Sequence, residues 1–283
     1  MAIPRVELER AIDAALTEDL ALGDPTTDAL IPHERQGRAT MVAREPGIAC
    51  GVDVAANVFQ RVDPTLSVTP LVGDGQTLEA GGLMLSVEGA FGSILRAERT
   101  AVNFAQRMSG IATLTAQYVK AVEGTSTTIV DTRKTAPGLR VLDKHAVASG
   151  GGRNHRQALG DGVLIKDNHI DALRAEGMSI GEIVTRAREN APHTIKIEVE
   201  VQSLAEARDA MDGKPDILLL DNMTPDDMRK VVDLIDGRAL TEASGGITLE
   251  TVAGVAATGV DLISIGALTH SPRALDISLD YSG

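Results

Sequence analysis

The chain has 283 residues, which is enough for one large domain or two smaller ones, and 13 more acidic than basic charges. Its hydrophobic content of 43% and charged content of 24% are those of an ordinary globular protein. With 2% aromatic residues and no tryptophan, so acidic a chain is not expected to bind nucleic acid, because the polyanion would be repelled and its bases would find few rings to stack on.

The sequence also indicates where the protein acts. No apolar run reaches the roughly 18 residues of a membrane helix, and the first twenty residues lack the apolar core of a signal peptide. The single cysteine, Cys50, cannot form an internal disulfide, as is typical of a reducing compartment. We therefore expect a cytoplasmic protein without membrane contact.

The first third of the chain predicts a helix followed by a small sheet. Apolar residues at helical spacing predict an amphipathic helix over 5–22, and the sequence GDPTTD over 23–28 is typical of a turn that ends it. Short apolar runs broken by glycine predict a small mixed sheet over 36–93, with a helix embedded at 52–62.

The segment 93–122 predicts one or two helices that lead into a second region. A bend is expected at Ser109 and Gly110, because kinks often occur at such small residues. We place the domain boundary near 105–115.

From Thr128 onward, strands, loops and helices alternate. The strand candidates are 128–132, 163–166, 195–201, 217–221, 238–243 and 262–266, and the helical stretches include 203–211, 225–235 and 248–259. This alternation predicts a parallel sheet covered by helices. A full barrel has eight strands, so both an incomplete barrel and an open doubly wound sheet are possible.

The predicted strands end on residues suited to a ligand site. These residues are Asp131 and Arg133 at the first strand, then Lys166, Glu200, Asp221, Ser244 and Gly266. The carboxyl ends of parallel strands form the ligand crevice of both barrels and open sheets. A polar strand end also occurs simply because solvent begins there, but charged residues closing four successive apolar runs favour a site.

The window 131–170 is basic in an acidic chain. Seven arginines and lysines oppose four aspartates, so the window is +3 and the remainder is −13 − 3 = −16. The basic residues are Arg133, Lys134, Arg140, Lys144, Arg153, Arg156 and Lys166. This pattern favours a small anionic ligand with more than one carboxylate. For Arg140, Lys144 and Arg153 a solvated surface remains the alternative.

Two carboxylates are expected at the same edge of the sheet. Alternation over 195–201 places Lys196, Glu198 and Glu200 on one face, with Glu200 nearest the carboxyl end and the other two pairing deeper inside. Asp221 would lie alongside Glu200. Such a pair can bind sugar hydroxyls, hold Mg²⁺ through water or stabilise a developing cation.

Two glycine turns, over 243–248 and 264–270, each follow a predicted strand. The first leads into a predicted helix, and backbone N–H groups at such places bind phosphate. Glycines of this kind often serve only to permit positive φ. His270 could contact the phosphate or simply occupy a surface position.

The chain resembles the quinolinate phosphoribosyltransferase family, also called carboxylating nicotinate-nucleotide pyrophosphorylases. The resemblance runs nearly end to end, from EDLALGDPTTD near the start to IGALTHS over 265–271. Its most specific part is the succession of DTRKTAPGLR, GGGRNHR and LIKDNH within 131–169. The glycine turns alone are not specific.

The resemblance implies a fold and an assembly. It implies an N-terminal α/β sandwich over 1–110, an incomplete parallel α/β barrel of the TIM kind with fewer than eight strands over 111–270, and a segment over 271–283 that returns to the N-terminal domain. It also implies a homodimer with shared active sites, in which the N-terminal region of one subunit completes the site of its neighbour. Further assembly of dimers is left open.

The resemblance also implies a reaction with Mg²⁺, in which quinolinate and 5-phosphoribosyl-1-pyrophosphate give nicotinate mononucleotide, CO₂ and pyrophosphate for NAD biosynthesis. The implied catalytic residues are Lys134, Lys166, Glu200 and Asp221. The implied quinolinate ligands are Arg99 from the partner subunit, Thr132, Arg133, Lys134, His155, Arg156 and Lys166. The implied phosphoribosyl pyrophosphate ligands are Glu200, Asp221, Ser244, Gly245, Gly246, Ile265, Gly266, Ala267 and His270. The implied metal ligands are Glu200 and Asp221, through water.

Two other functions are compatible with the sequence. A barrel enzyme of the aldolase kind would use Lys166 as a Schiff-base nucleophile. A non-catalytic, anion-binding relative would keep the scaffold while Glu200 and Asp221 had no role.

Overall fold

The computed structural model describes residues 3–282, so residues 1, 2 and 283 of the predicted domains lie outside it. The elements up to the long helix are α1 (Arg5–Leu20), α2 (Pro25–Leu30), β1 (Gln36–Ala43), β2 (Gly47–Ile48), α3 (Val52–Val62), β3 (Ser67–Pro70), β4 (Thr77–Leu78), β5 (Leu83–Ala90) and α4 (Phe91–Ala121). The later elements are β6 (Thr128–Val130), α5 (Arg140–Ser149), β7 (Val163–Ile165), α6 (Asp167–Arg174), α7 (Ile180–Asn190), β8 (Ile197–Val201), α8 (Leu204–Asp212), β9 (Ile217–Asp221), α9 (Pro225–Ile235), β10 (Leu240–Ser244), α10 (Val252–Ala256), β11 (Leu262–Ser264), α11 (Ala267–His270) and β12 (Ile277–Ser282).

The chain forms two compact units that are not continuous in sequence. The first unit comprises residues up to 116, residues 134–151 and residues from 267 onward. The second unit comprises 117–133 and 152–266. Within residues 3–282 no helix is both long enough and apolar enough to cross a membrane.

The sheet of the first unit is antiparallel rather than mixed as the sequence predicted. Its strand order is β12-β1-β5-β3, and β2 and β4 form a separate antiparallel pair. The buried side chains of Met41 and Leu85 lie in register on β1 and β5. The core of this sheet therefore rests on apolar pairs between its two long central strands.

One local prediction in the first unit was wrong, and another, of one or two helices over 93–122, is confirmed as a single helix. The segment predicted as a turn contains α2, because an Asp24 carboxylate oxygen accepts a hydrogen bond from Thr27 N at 2.9 Å and Pro25 occupies the first helical position. The segment 93–122 forms one continuous helix, α4. A Cβ atom at Gly110 would lie 2.1 Å from the carbonyl oxygen of Arg273, so this glycine permits close packing rather than a second helix.

The second unit contains the six predicted strands as one parallel sheet. Its strand order is β6-β11-β10-β9-β8-β7. Taken from β7, this is the chain order with β6 moved from the beginning to the end. That order is the order of an incomplete barrel, because a doubly wound sheet reverses its strand order in the middle. Arg153 makes a parallel bridge to Val130 and extends the sheet beyond β6.

The helices of the second unit were predicted only in part. The predicted helices at α8 and α9 are confirmed, whereas α6 and α7 were missed. The start of α7 had a readable signal, because Ser179 and Glu182 form a capping box. The predicted helix over 248–259 is shorter, since α10 begins only at Val252.

Candidate active site

The carboxyl ends of four neighbouring strands bring their polar residues to one edge of the sheet in the second unit. Lys166 follows β7, Glu200 lies near the end of β8, Asp221 ends β9 and Ser244 ends β10. Ser244 and Asp221 lie in register, and Lys166 Nζ is 3.7 Å from the nearer carboxylate oxygen of Glu200. The sequence prediction that these strand ends form one group therefore agrees with the geometry. We call Lys166, Glu200 and Asp221 the strand-end group.

The carboxylates of the strand-end group are suited to a cation. The Glu200 side chain is only 10% exposed. Burial raises its pKa and the charge of Asp221 raises it further, while Lys166 opposes them. A cation held here would favour the ionised form of Glu200. Carboxylate oxygens are the ligands that Mg²⁺ prefers, so these residues fit the metal that the resemblance implies.

Two arginines of the second unit lie close enough to repel each other. Burial lowers the pKa of Arg156, and the charge of Arg133 lowers it further. The Nε atom of Arg133 is buried and has no hydrogen-bond partner among residues 3–282. Two neighbouring guanidinium groups with unused donors are destabilising in isolation and are relieved by an anion. We call Arg133 and Arg156 the arginine pair.

The strand β8 connects the arginine pair with the strand-end group. Glu198 and Glu200 lie on the same face of β8, two residues and about 7 Å apart along the strand. The charge of Glu198 acts on Arg156, while Glu200 pairs with Lys166. The arginine pair and the strand-end group therefore belong to the same unit, whereas the predicted basic residues Lys134, Arg140 and Lys144 belong to the first unit.

Asp131 holds the loop that carries His155 and Arg156. It is fully buried, and its two carboxylate oxygens accept hydrogen bonds from Asn154 Nδ2 at 2.7 Å and from the His155 backbone N at 2.8 Å. The sequence placed Asp131 at a strand end but assigned no role to Asn154. The loop is thus fixed from the end of β6.

Both ring nitrogens of His155 have partners within the second unit. Nε2 lies 3.0 Å from Glu198 Oε2 and 3.6 Å from Glu242 Oε2, and Nδ1 accepts a hydrogen bond from Arg156 N at 2.7 Å. The predicted pairing of Lys196 with Glu198 was wrong, because Lys196 is exposed and Glu198 instead contacts His155. Glu242 was missed, although a glutamate inside an apolar strand was a readable signal.

The first glycine turn has a steric requirement for its glycine. Gly245 has φ of 97°, and a Cβ atom there would lie 2.2 Å from Asn222 Oδ1. Asn222 N also donates a hydrogen bond to Ser244 O at 2.9 Å. Gly246 has φ of 61°. A helix follows this turn as predicted, but it begins later than predicted, since Gly246 lies six residues before Val252, where α10 begins.

The second glycine turn divides between the two units. Ile265 N donates to Val130 O at 3.0 Å, so Ile265 and Gly266 continue the sheet of the second unit beyond β11. Ala267 and His270 begin and end α11 in the first unit. The exposed His270 has Nδ1 2.6 Å from Ser271 Oγ.

The remaining predicted ligands lie in different surroundings. Thr132 is half-buried in the second unit. Lys134 is exposed in the first unit, and its carbonyl oxygen accepts a hydrogen bond from the Thr269 hydroxyl at 2.9 Å. Arg99 is exposed on α4 and lines a cavity of about 610 Å³ in the first unit, together with Arg10 and Arg107.

The three residues for which a solvated surface was the alternative, Arg140, Lys144 and Arg153, differ in their exposure. Lys144 is only 1% exposed, so the solvated reading was wrong for it. Arg153 has an exposed side chain, in agreement with that reading. Arg140 is half-buried, and its Nε donates to Thr135 Oγ1 at 3.1 Å.

Comparisons with known proteins agree with this architecture. Family models described as the N-terminal and C-terminal domains of quinolinate phosphoribosyl transferase match residues 24–109 and 111–280. A protein of Mycobacterium leprae named nicotinate-nucleotide pyrophosphorylase [carboxylating] is 46% identical over 95% of each chain. A Synechocystis protein named as a probable enzyme of that kind is 42% identical over 98% of this chain and 93% of the relative.

The solved structure of nicotinate-nucleotide pyrophosphorylase from Francisella tularensis is similar over 99% of this chain and 98% of its own, with a TM-score of 0.92 and 38% identity. Both domain models together account for nearly the whole chain, and the relatives match it over nearly their full length. The chain therefore belongs to the quinolinate phosphoribosyltransferase family.

Proposed function

We propose that this protein joins quinolinate to 5-phosphoribosyl-1-pyrophosphate and releases CO₂ and pyrophosphate, giving nicotinate mononucleotide for NAD biosynthesis. Family membership supports the reaction class. The observation that carries the assignment is that the arginine pair and the strand-end group belong to the same unit, because the first offers a site for a small dicarboxylate and the second offers carboxylates that can stabilise a sugar cation.

The arginine pair and Lys166 are proposed to bind the two carboxylates of quinolinate. A dicarboxylate neutralises the two guanidinium groups and gives the buried Nε of Arg133 an acceptor. Lys166 supplies a further positive charge from the end of β7. Thr132 lies two residues beyond the end of β6, next to Arg133, and is proposed to contact the ligand.

Glu200 and Asp221 are proposed to act on the ribose. Loss of pyrophosphate from C1 gives the sugar oxocarbenium character, which neighbouring carboxylates stabilise electrostatically. The pyridine nitrogen then attacks C1, and the resulting pyridinium stabilises the carbanion left by decarboxylation at C2, which takes up a proton from water to give nicotinate mononucleotide. Mg²⁺, when held by the same two carboxylates, supplies positive charge that neutralises pyrophosphate.

The glycine turns are proposed to bind phosphate through backbone N–H groups. Ser244, Gly245 and Gly246 form the first of these turns, and Gly245 cannot be replaced without displacing Asn222. In the second glycine turn, the residues proposed to bind phosphate are Ile265, Gly266, Ala267 and His270. Lys134 is proposed as a further cation for the reacting groups.

We further propose that the enzyme is a cytosolic homodimer whose active sites are shared between subunits, with Arg99 of one subunit serving the site of its neighbour. The exposed position of Arg99 on α4 leaves its guanidinium accessible for that role. Mixing Arg99→Ala subunits with Arg156→Ala subunits should restore part of the activity, because one of the mixed sites then keeps both arginines. No recovery in verified mixed dimers would show that Arg99 acts within its own chain.

The proposed reaction is tested by incubating the protein with quinolinate, phosphoribosyl pyrophosphate and Mg²⁺ while quinolinate loss and CO₂ release are measured. The amount of CO₂ released should equal the amount of quinolinate consumed. Quinolinate binding without turnover would favour a non-catalytic relative, and borohydride trapping of a carbonyl substrate on Lys166 would favour an aldolase. Lys166 pairs with Glu200 and its side chain is 49% exposed, whereas a Schiff-base lysine is usually desolvated.

A further inference from the structure

The inner face of the sheet in the second unit contains three ionisable groups that the proposed reaction does not use directly. Glu198 on β8 and Glu242 on β10 are 3% and 0% exposed, and His155 lies against both. They border a cavity of about 320 Å³ that Arg156 also lines. Buried ionisable residues destabilise a protein unless they are paired, so a role for these three residues is expected.

The hydrogen bonds of His155 fix its tautomer. Nδ1 accepts a hydrogen bond from the backbone N–H of Arg156 at 2.7 Å, so Nδ1 carries no proton. The proton of the neutral ring is therefore on Nε2, which points at the carboxylate of Glu198 at 3.0 Å. The ring has no lone pair for a metal ion at Nε2, although the three side chains are close enough together to surround one.

The same bonds leave His155 without a ring nitrogen for the substrate. Nδ1 is engaged by Arg156 and Nε2 by Glu198. The neighbouring guanidinium of Arg156 donates through Nη1 to Gly162 O at 2.8 Å. The imidazole is thus bonded to the backbone of Arg156, which the proposed function makes a ligand of the substrate.

We propose that Glu198, His155 and Arg156 form a positioning relay, in which the Glu198 carboxylate orients a neutral His155 and the Nδ1 atom of His155 holds the backbone of Arg156 so that its guanidinium faces the substrate carboxylate. This inference rests on the proposed function for the identity of the anion. It departs from the expectation that His155 itself contacts quinolinate. In the relay His155 is a positioning residue and Arg156 is the ligand.

Glu242 is a neighbour of the relay rather than a member of it, and below about pH 7 it is neutral because burial raises its pKa to about 7. Its nearer carboxylate oxygen is 3.6 Å from His155 Nε2, and neither of its oxygens has a hydrogen-bond partner within residues 3–282. The groups that face it are Glu198, His155, Asp131 and the hydroxyl of Ser264. An ionised carboxylate in this position would be buried beside two other acids, so the protonated form is favoured.

Isosteric variants of His155 test the relay. In His155→Asn the side-chain oxygen can replace Nδ1 as the acceptor for Arg156 N, whereas in His155→Gln the amide can replace only the Nε2 position. We expect His155→Asn to raise the KM for quinolinate less than about fivefold and His155→Gln to raise it more than about twentyfold, with the KM for phosphoribosyl pyrophosphate unchanged in both. The opposite order would show that Nε2 contacts the substrate and would overturn the relay.

A matched pair of glutamate variants tests the other end of the relay. In assays at about pH 6, Glu198→Gln weakens the acceptor of Nε2–H and should raise the KM for quinolinate about tenfold, while Glu242→Gln, which mimics the acid that is neutral at this pH, should change it less than about twofold. Circular dichroism melts exclude variants that have not folded. Equal effects of the two substitutions would contradict the relay.

A measurement that is independent of turnover separates this inference from the proposed function. The ring ¹⁵N shifts of His155 in the unliganded protein, assigned by comparison with His155→Asn, should show a protonated Nε2 and an unprotonated Nδ1 at pH 7.5. The opposite tautomer, or an imidazolium, would refute the relay even in an active enzyme. Absence of quinolinate turnover in the unmutated protein would refute the proposed function while leaving the tautomer result standing.

Discussion

The arginine pair gives the sharpest prediction about ligand binding. Arg133→Ala removes a guanidinium whose Nε is buried without a partner among the described residues, so little within the chain depends on its donors. Loss of one charge-assisted hydrogen bond to a ligand carboxylate costs about 1.5–3 kcal/mol, which corresponds to a loss of quinolinate affinity of roughly 10- to 150-fold. The substitution also removes the repulsion that lowers the pKa of Arg156, so the melting temperature should not fall.

Isothermal titration calorimetry with quinolinate and a thermal melt measure both consequences. Arg229→Ala is the matched control, because it makes the same change of charge at an exposed ion pair with Asp226. We expect the control to keep the parent affinity. A change in quinolinate affinity of less than about threefold in Arg133→Ala would refute the assignment of the arginine pair as the anion site. A melting temperature lowered by more than about 5 °C would show that Arg133 has mainly a structural role.

Three further predictions concern other parts of the second unit. Asp131→Ala should lower the free energy of unfolding by about 2–4 kcal/mol in a urea titration, because two half-buried donors lose their fully buried acceptor, while Asp226→Ala at an exposed ion pair should change it by less than about 1 kcal/mol. Gly245→Ala should raise the KM for phosphoribosyl pyrophosphate at least tenfold, because the new methyl group displaces the neighbouring asparagine, whereas Gly237→Ala, also at positive φ but with nothing within 4 Å, should leave it unchanged. Burial raises the pKa of Glu242 to about 7, so the unmutated protein should lose roughly 1–3 kcal/mol of stability relative to Glu242→Gln between pH 5 and pH 8. A stability difference that is independent of pH would contradict a buried neutral acid at this position.

The sign of the pH effect follows from where the proton is bound. The folded state holds the Glu242 proton up to about pH 7, whereas the unfolded chain releases it near 4.5, the ordinary pKa of a glutamate. The contribution of this proton to stability is therefore complete below pH 4.5 and is lost as the pH rises through 7.

The parts of the fold that could be predicted from sequence are those in which the signal is local. A buried parallel strand is an uninterrupted apolar run, and the charged residue that closes it lies next to it in the chain. Lys166, Glu200 and Asp221 could be assigned to one edge for that reason. Arg133 could be assigned to a strand end by the same reasoning.

The parts that could not be predicted depend on contacts between distant segments. His155, Glu198 and Glu242 come from a loop and two strands, and only the curvature of the sheet brings them together. Lys144, which is fully buried, was predicted as a possible surface residue, because the sequence of a charged helix does not show which of its charged residues face the protein interior. Gly110 carries no sign in the sequence that the backbone at Arg273 approaches it.

The acidic residues on the inner face of the parallel sheet have a consequence for adaptation to heat. Apolar side chains of similar volume are often more stabilising than buried ionisable groups that lack a partner, so leucine at 242 should raise the melting temperature. Leucine at 198 should lower it, because the Nε2–H of His155 would lose its buried acceptor. A screen that selects only for resistance to heating would therefore be expected to enrich apolar residues at position 242 and to retain Glu198.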